Sequence, residues 1–172
     1  IFRREKLNAA IIEGDSFHRY DREAMRATMA ERSLAGDNHF SHFGPEANLL
    51  GDLENLFREY GETGRGKRRH YIHDADEAKV YGTEPGKFTA WEELPENTDL
   101  LFYEGLHGAV KTDDVDVARH VDLCVGVVPI INLEWIQKIH RDKALRGYST
   151  EAVMDTILRR MPDYIHYICP QF

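Results

Sequence analysis

Short apolar runs alternate with longer amphipathic stretches along the chain. Residues 8–15 (NAAIIEGD) are apolar up to Glu13 and too short for a helix, which predicts a buried strand of a parallel sheet. Residues 99–105 (DLLFYEG) and 122–131 (DLCVGVVPII) predict a second and a third such strand. Residues 1–6 (IFRREK) read as the last turns of an amphipathic helix, and 68–73 (RRHYIH) as a further strand. Helical spacing predicts a helix over 21–36 ending at Gly36, one opening near Pro45 and running through about Tyr60, and a short one over 113–122. A longer helix over 132–147 closes at Gly147, and the next is N-capped by Ser149 or Thr150 and runs through Arg160. Pro162 opens another, short one, while 36–48 and 84–99 read as loops. Strands alternating with helices predict an α/β domain, a mostly parallel sheet flanked by helices, and the length suits a single domain over 1–172.

Ligands of such sheets bind at the carboxyl ends of the strands. The first strand ends in Glu13-Gly14-Asp15, the second in Glu104-Gly105, and the third runs out at Pro129 into Asn132 and Glu134. Asp15 at a strand end can accept a proton from a substrate hydroxyl that attacks phosphorus, or simply cap the turn that follows. His18, Arg19 and Arg22 can grip a phosphate or form a solvated helix start. Glu104 can stand on the Mg²⁺ side of a nucleotide or be an ordinary polar strand end. Lys138, Asp142 and Arg146 fall at i, i+4, i+8 on one ridge, with Arg141 beside it. That ridge suits a transferring phosphoryl group, and it equally suits a salt-bridged surface helix.

The composition narrows these choices. The chain is acidic, with a formal net charge of −8, which argues against a broad nucleic-acid surface. Its basic residues cluster at 65–70 and 138–146, a pattern that suits a small anionic ligand. No apolar run is long enough to cross a membrane, and two cysteines without a CxxC make a reducing cytoplasm the default. Nine histidines raise a metal reading, but His39/His42 and His70/His73 lack the companions of a zinc motif.

The series Lys138-Ile-His-Arg141-Asp142-Lys-Ala-Leu-Arg146-Gly147-Tyr-Ser149-Thr-Glu151 resembles the signature of the phosphoribulokinases, within the phosphoribulokinase/uridine kinase family. Residues 12–22 (IEGDSFHRYDR) look like the substrate loop of that family and 102–110 (FYEGLHGAV) like its metal-carboxylate strand. HFSHFGPEAN and FREYGETGRGK look like the bacterial type, so the resemblance covers the whole chain. It implies a P-loop kinase fold truncated at both ends, and phosphorylation of the 1-hydroxyl of ribulose 5-phosphate by MgATP to give the bisphosphate of the Calvin cycle. It also implies roles. Asp15 becomes the general base, also on the metal side with Glu104. Lys138 and Arg141 stabilise the moving phosphoryl, with Asp142 as a second acid. His18, Arg22, His73 and Arg146 bind the sugar phosphate. The resemblance places the family's glycine-rich phosphate loop before residue 1, so the chain by itself is expected to be inactive. The parent is expected to be a cytoplasmic homo-oligomer under effector control. A uridine kinase-like enzyme and a non-catalytic regulatory or scaffold remnant are the competing readings.

Overall fold

The structure, a computed structural model, describes residues 1–128 and 130–172, with the side chains of Ile131 and Asn132 left out. A short helix α1 (Phe2–Glu5) leads into strand β1 (Ala9–Glu13). β1 pairs in parallel with β4 (Leu100–Glu104), in register from Ala9↔Leu100 to Glu13↔Glu104. Burial alternates along β1: Ala10 and Ile12 are buried and Ile11 is 47% exposed, so one face of the pair carries the core. Against that face lies α3 (Leu50–Thr63), whose Leu50, Leu53, Leu56 and Phe57 recur at helical spacing and join Ala10, Ile12, Phe17, Val110 and Val117. The left-handed Gly64 closes α3. Helix α2 (Arg22–Leu34) is N-capped by Asp21, whose carboxylate accepts from the Ala24 amide, and packs Met25 against Phe40 and Ala47.

Several expectations change in three dimensions. Residues 123–128 do not form a third strand: Leu123, Val125 and Val127 are 79%, 69% and 83% exposed. Among the described residues β1 and β4 pair only with each other, and this run joins neither of their free edges. Pro129 and the Asn132 side chain lie outside the described residues, and Glu134 sits in the first turn of α5 (Ile131–Arg146). Pro45 does not open the long helix. It starts a separate 3-10 turn, Pro45–Ala47, and α3 begins only at Leu50, because Asn48 is extended and bridges to His18. The strand expected over 68–73 shrinks to β2 (Lys67–Arg68), antiparallel to β3 (Glu92–Glu93), with one further bridge between Tyr71 and Phe88. The helix expected over 113–122 is a 3-10 turn, Val117–His120.

Helix α4 (Ala75–Tyr81) has no counterpart in the sequence expectations. Its signals are local, an Asp74 side chain that accepts from the Asp76 and Glu77 amides and a left-handed Gly82 at the other end. Gly147 closes α5 and Ser149 caps α6 (Thr150–Asp163), both as expected. Pro162 lies inside α6 rather than opening a new helix, and the chain runs on through a π-type turn at Tyr164–Ile168.

Candidate active site

The site is built where β1 and β4 end side by side. A Cβ on Gly14 would come within 2.7 Å of the Gly105 Cα, so only glycine lets the two strand ends approach this closely. The chain turns at once into a 3-10 turn, Gly14–Phe17, that swings Asp15 out of the sheet. Its carboxylate is half-buried and meets two imidazoles, His18 Nε2 at 3.2 Å and His73 Nε2 at 3.7 Å. The hydrogen bond with His18 holds Asp15 below the usual carboxylate range, against burial, and the charges of His18 and His73 add to it. Asp15 is therefore ionised at neutral pH, the state a proton acceptor needs.

Arg22 reaches the same corner. Its guanidinium donates to the His73 carbonyl at 2.8 Å and lies 5.9 Å from the centre of the Tyr71 ring, which itself packs edge-on to His73 at 5.0 Å. Asp15, His18, Arg22 and His73, separated by up to 58 positions in sequence, thus form one polar cluster. Glu104 is exposed at the adjoining strand end, in register with Glu13. Mg²⁺ in kinase sites takes one or two carboxylates and fills its other positions with water and substrate phosphates, and Asp15 with Glu104 fits that requirement. Among the described residues no three His, Cys, Asp or Glu side chains converge as an all-protein metal cage.

The cations of α5 form a second cluster. Asp142, with its side chain 4% exposed, accepts from Lys138 Nζ at 3.0 Å and Arg141 Nε at 3.1 Å, with Arg146 Nη1 at 3.3 Å. Burial pushes the Asp142 carboxyl up, but the bonds from Lys138 and Arg141 and the charges of Lys138 and Arg146 outweigh it and hold it low. The carboxylate therefore clamps three cations that keep an open side to solvent, with Lys138, Arg141 and Arg146 31%, 54% and 50% exposed. Among the described residues no hydrogen bond or ion pair joins this cluster to Asp15, so the two halves are each assembled but not in direct contact. They are linked through α6. Asp163 there is fully buried and meets His39 at 3.1 Å and Arg160 at 2.9 Å, which ties the helix to the 36–48 loop beside the first cluster.

Other contributors carry little sequence signal. Arg69 donates to the carbonyls of Ser16 at 2.8 Å and His18 at 2.6 Å and lies over the Phe88 and Trp91 rings, so it pins the turn that presents Asp15. Burial pulls the Arg69 guanidinium down. Its only mark in the sequence is membership of the basic run 65–70. Asn48 and His107, buried beside His18, lie in the stretches HFSHFGPEAN and FYEGLHGAV but carry no local signal of a role. Conversely, Gly61-Glu-Thr-Gly64-Arg-Gly66-Lys67 has the glycine and lysine spacing of a phosphate loop, but Arg68 stands where Ser or Thr would hold the metal. The segment also leaves a helix and enters β2, the reverse of the strand–loop–helix order, and Lys67 faces Glu93 at 3.4 Å.

Comparison with known proteins identifies the family and the fold. The chain is 66% identical over 172 residues to the phosphoribulokinase of Nitrobacter vulgaris and to the chromosomal phosphoribulokinase of Cupriavidus necator. All of this chain is matched, and it spans 59% of the length of each of those relatives. The solved structure of the phosphoribulokinase from Rhodobacter spheroides superposes with a TM-score of 0.84 at 57% identity, over 100% of this chain and 60% of that one. With the family pattern Phosphoribulokinase / Uridine kinase matched over residues 1–172, the chain belongs to the phosphoribulokinase/uridine kinase family, an α/β fold of the P-loop kinase type.

Proposed function

We propose that the full-length protein is a phosphoribulokinase that transfers the terminal phosphoryl of MgATP to the 1-hydroxyl of ribulose 5-phosphate. The observation that carries this reading is the ionised Asp15, set at a strand end between the His18 and His73 imidazoles. Asp15 takes the proton from the attacking hydroxyl as its oxygen closes on phosphorus. His18, His73 and Arg22 bind and orient the sugar phosphate, and Arg146 contributes from α5. Lys138 and Arg141, held apart by Asp142, supply positive charge to the equatorial oxygens of the moving group. Asp15 and Glu104 would hold Mg²⁺, which would supply positive charge to the nucleotide phosphates. Transfer requires both clusters to engage one substrate, and the exposed cationic side of α5 leaves that approach open. The enzyme works as a homo-oligomer in the bacterial cytoplasm.

The test is a substrate comparison. Full-length protein with MgATP phosphorylates ribulose 5-phosphate and not uridine. A preference for uridine would move it to the other branch of the family, and phosphorylation of neither sugar would favour a regulatory remnant.

A further inference from the structure

Asn48 is buried to 2% although it sits in a loop, and all its polar atoms are committed. The backbone brings it to His18. Arg19 N donates to Ala47 O and Leu49 N to Phe17 O, both at 2.8 Å, so His18 and Asn48 face each other as the non-hydrogen-bonded pair of a short antiparallel bridge. Side chains of such a pair lie close together on one face. The Asn48 Nδ2 donates to the carbonyls of Gly44 at 2.7 Å and His42 at 2.9 Å. Carbonyls can only accept, so the amide cannot flip, and Oδ1 must point at His18 Nδ1, 2.6 Å away. That oxygen has no proton to give. The proton between them therefore belongs to His18 Nδ1, whether the ring is neutral or charged. His107 completes the wall, its Nε2 3.3 Å from the Phe43 carbonyl and its ring edge-on to His18 at 6.4 Å.

We propose that Asn48 is a positioning residue that acts through His18. It locks the ring with Nδ1–H turned inward, which leaves Nε2 as the atom that faces Asp15 and the sugar phosphate. Asp15 accepts at Nε2 and Asn48 at Nδ1, so both ring nitrogens have an acceptor; without Asn48 the ring would keep its proton on Nε2, toward Asp15, or rotate away, and the binding cluster would lose a fixed contact. The consequence for substrate rests on the phosphoribulokinase reading; the tautomer does not.

Two measurements on full-length protein keep these apart. Ring ¹⁵N spectra of histidine-labelled protein, with His18 assigned by its loss in His18→Asn, are expected to show a protonated Nδ1 in the unsubstituted protein. Asn48→Leu, of similar volume, is expected to lose the Nδ1 proton and leave the ring protonated on Nε2, toward Asp15. A bare Nδ1 at His18, or an unchanged pattern in Asn48→Leu, overturns the assignment. In steady-state assays Asn48→Leu is expected to raise KM for ribulose 5-phosphate about fivefold or more, but less than about twofold when added to His18→Asn. Equal effects in both backgrounds would make Asn48 a purely structural tie of its loop and overturn its action through His18. Should Asn48→Leu fail to fold, the spectrum of the unsubstituted protein alone decides the tautomer. Absence of ribulose 5-phosphate kinase activity in the unsubstituted protein, with the Nδ1 proton in place, would instead count against the proposed function.

Discussion

Asp15 and Arg22 sit seven positions apart in sequence and do different work at one corner. Asp15 is kept ionised by its imidazole neighbours, and under the proposed function its contribution belongs to the proton transfer. Asp15→Asn keeps shape and hydrogen bonding but removes the acceptor, and kcat is expected to fall by about 10²-fold or more, read in steady-state assays of the full-length protein. A rate near that of the unsubstituted enzyme would exclude the general-base role. Arg22 holds the His73 carbonyl and offers the rest of its guanidinium to an anion. Its loss should act on the ground state: Arg22→Ala is expected to raise KM for the sugar phosphate by roughly 10-fold or more, the scale of one charged hydrogen bond, with kcat much less affected. A fall in kcat alone would assign Arg22 to the phosphoryl group. At this scale the sequence singled out Asp15 as a carboxylate after a glycine at the end of an apolar run, but its spacing left a proton acceptor and a turn cap both open, and only the family resemblance favoured the former. It assigned no role to Asn48 or His107, which entered only inside the stretches HFSHFGPEAN and FYEGLHGAV that carry the family resemblance. Their importance comes from a backbone bridge between residues 30 apart, which no local pattern encodes.

Between elements, the decisive joint is the one that ties α6 to the 36–48 loop. Asp163 is a fully buried carboxylate that pairs with Arg160 and hydrogen-bonds His39 across 124 positions of sequence. Asp163→Ala leaves the largely buried Arg160 charge unmatched, and we expect a loss of about 3 kcal/mol, read from urea denaturation of the full-length protein. A change under about 0.5 kcal/mol, the range of an exposed pair, would mean that the joint is not closed in solution. The helices were readable in sequence at the capped ends Ser149 and Gly147, but not at α4, whose Asp74 and Gly82 caps enclose only seven residues. The start of α3 was misplaced because Pro45 is an equally good opener for a 3-10 turn, and only the pairing of Asn48 with His18 decides between the two.

Across the whole molecule, the buried histidines make stability depend on pH. Burial, reinforced by the charge of His18, depresses His42 and His107 to about 4 from 6.5. Their folded values lie below the unfolded one, so the unfolded chain binds more protons in that interval. The stability they contribute is complete above about pH 6.5 and declines as pH falls toward 4. The urea midpoint of the full-length protein is therefore expected to drop between pH 7 and pH 5, and His107→Gln is expected to flatten the drop. A midpoint that stays level over that range would show that these rings are accessible to protonation in the folded state.

The sequence by itself determined the class of fold, the two strands that frame the site, the helix ends marked by caps and the residue types that suit phosphoryl chemistry. Those features depend on spacing within a few residues, on periodicity and turn stereochemistry. Only the tertiary structure decided that residues 123–128 stay out of the sheet, for a strand forms by pairing and apolar character alone supplies no partner. It also decided that Asp142 is buried beneath the cations it pairs with on its own helix, and that His18 is oriented by Asn48. Burial and contacts between distant segments set those outcomes, and neither is a property of any short stretch of chain.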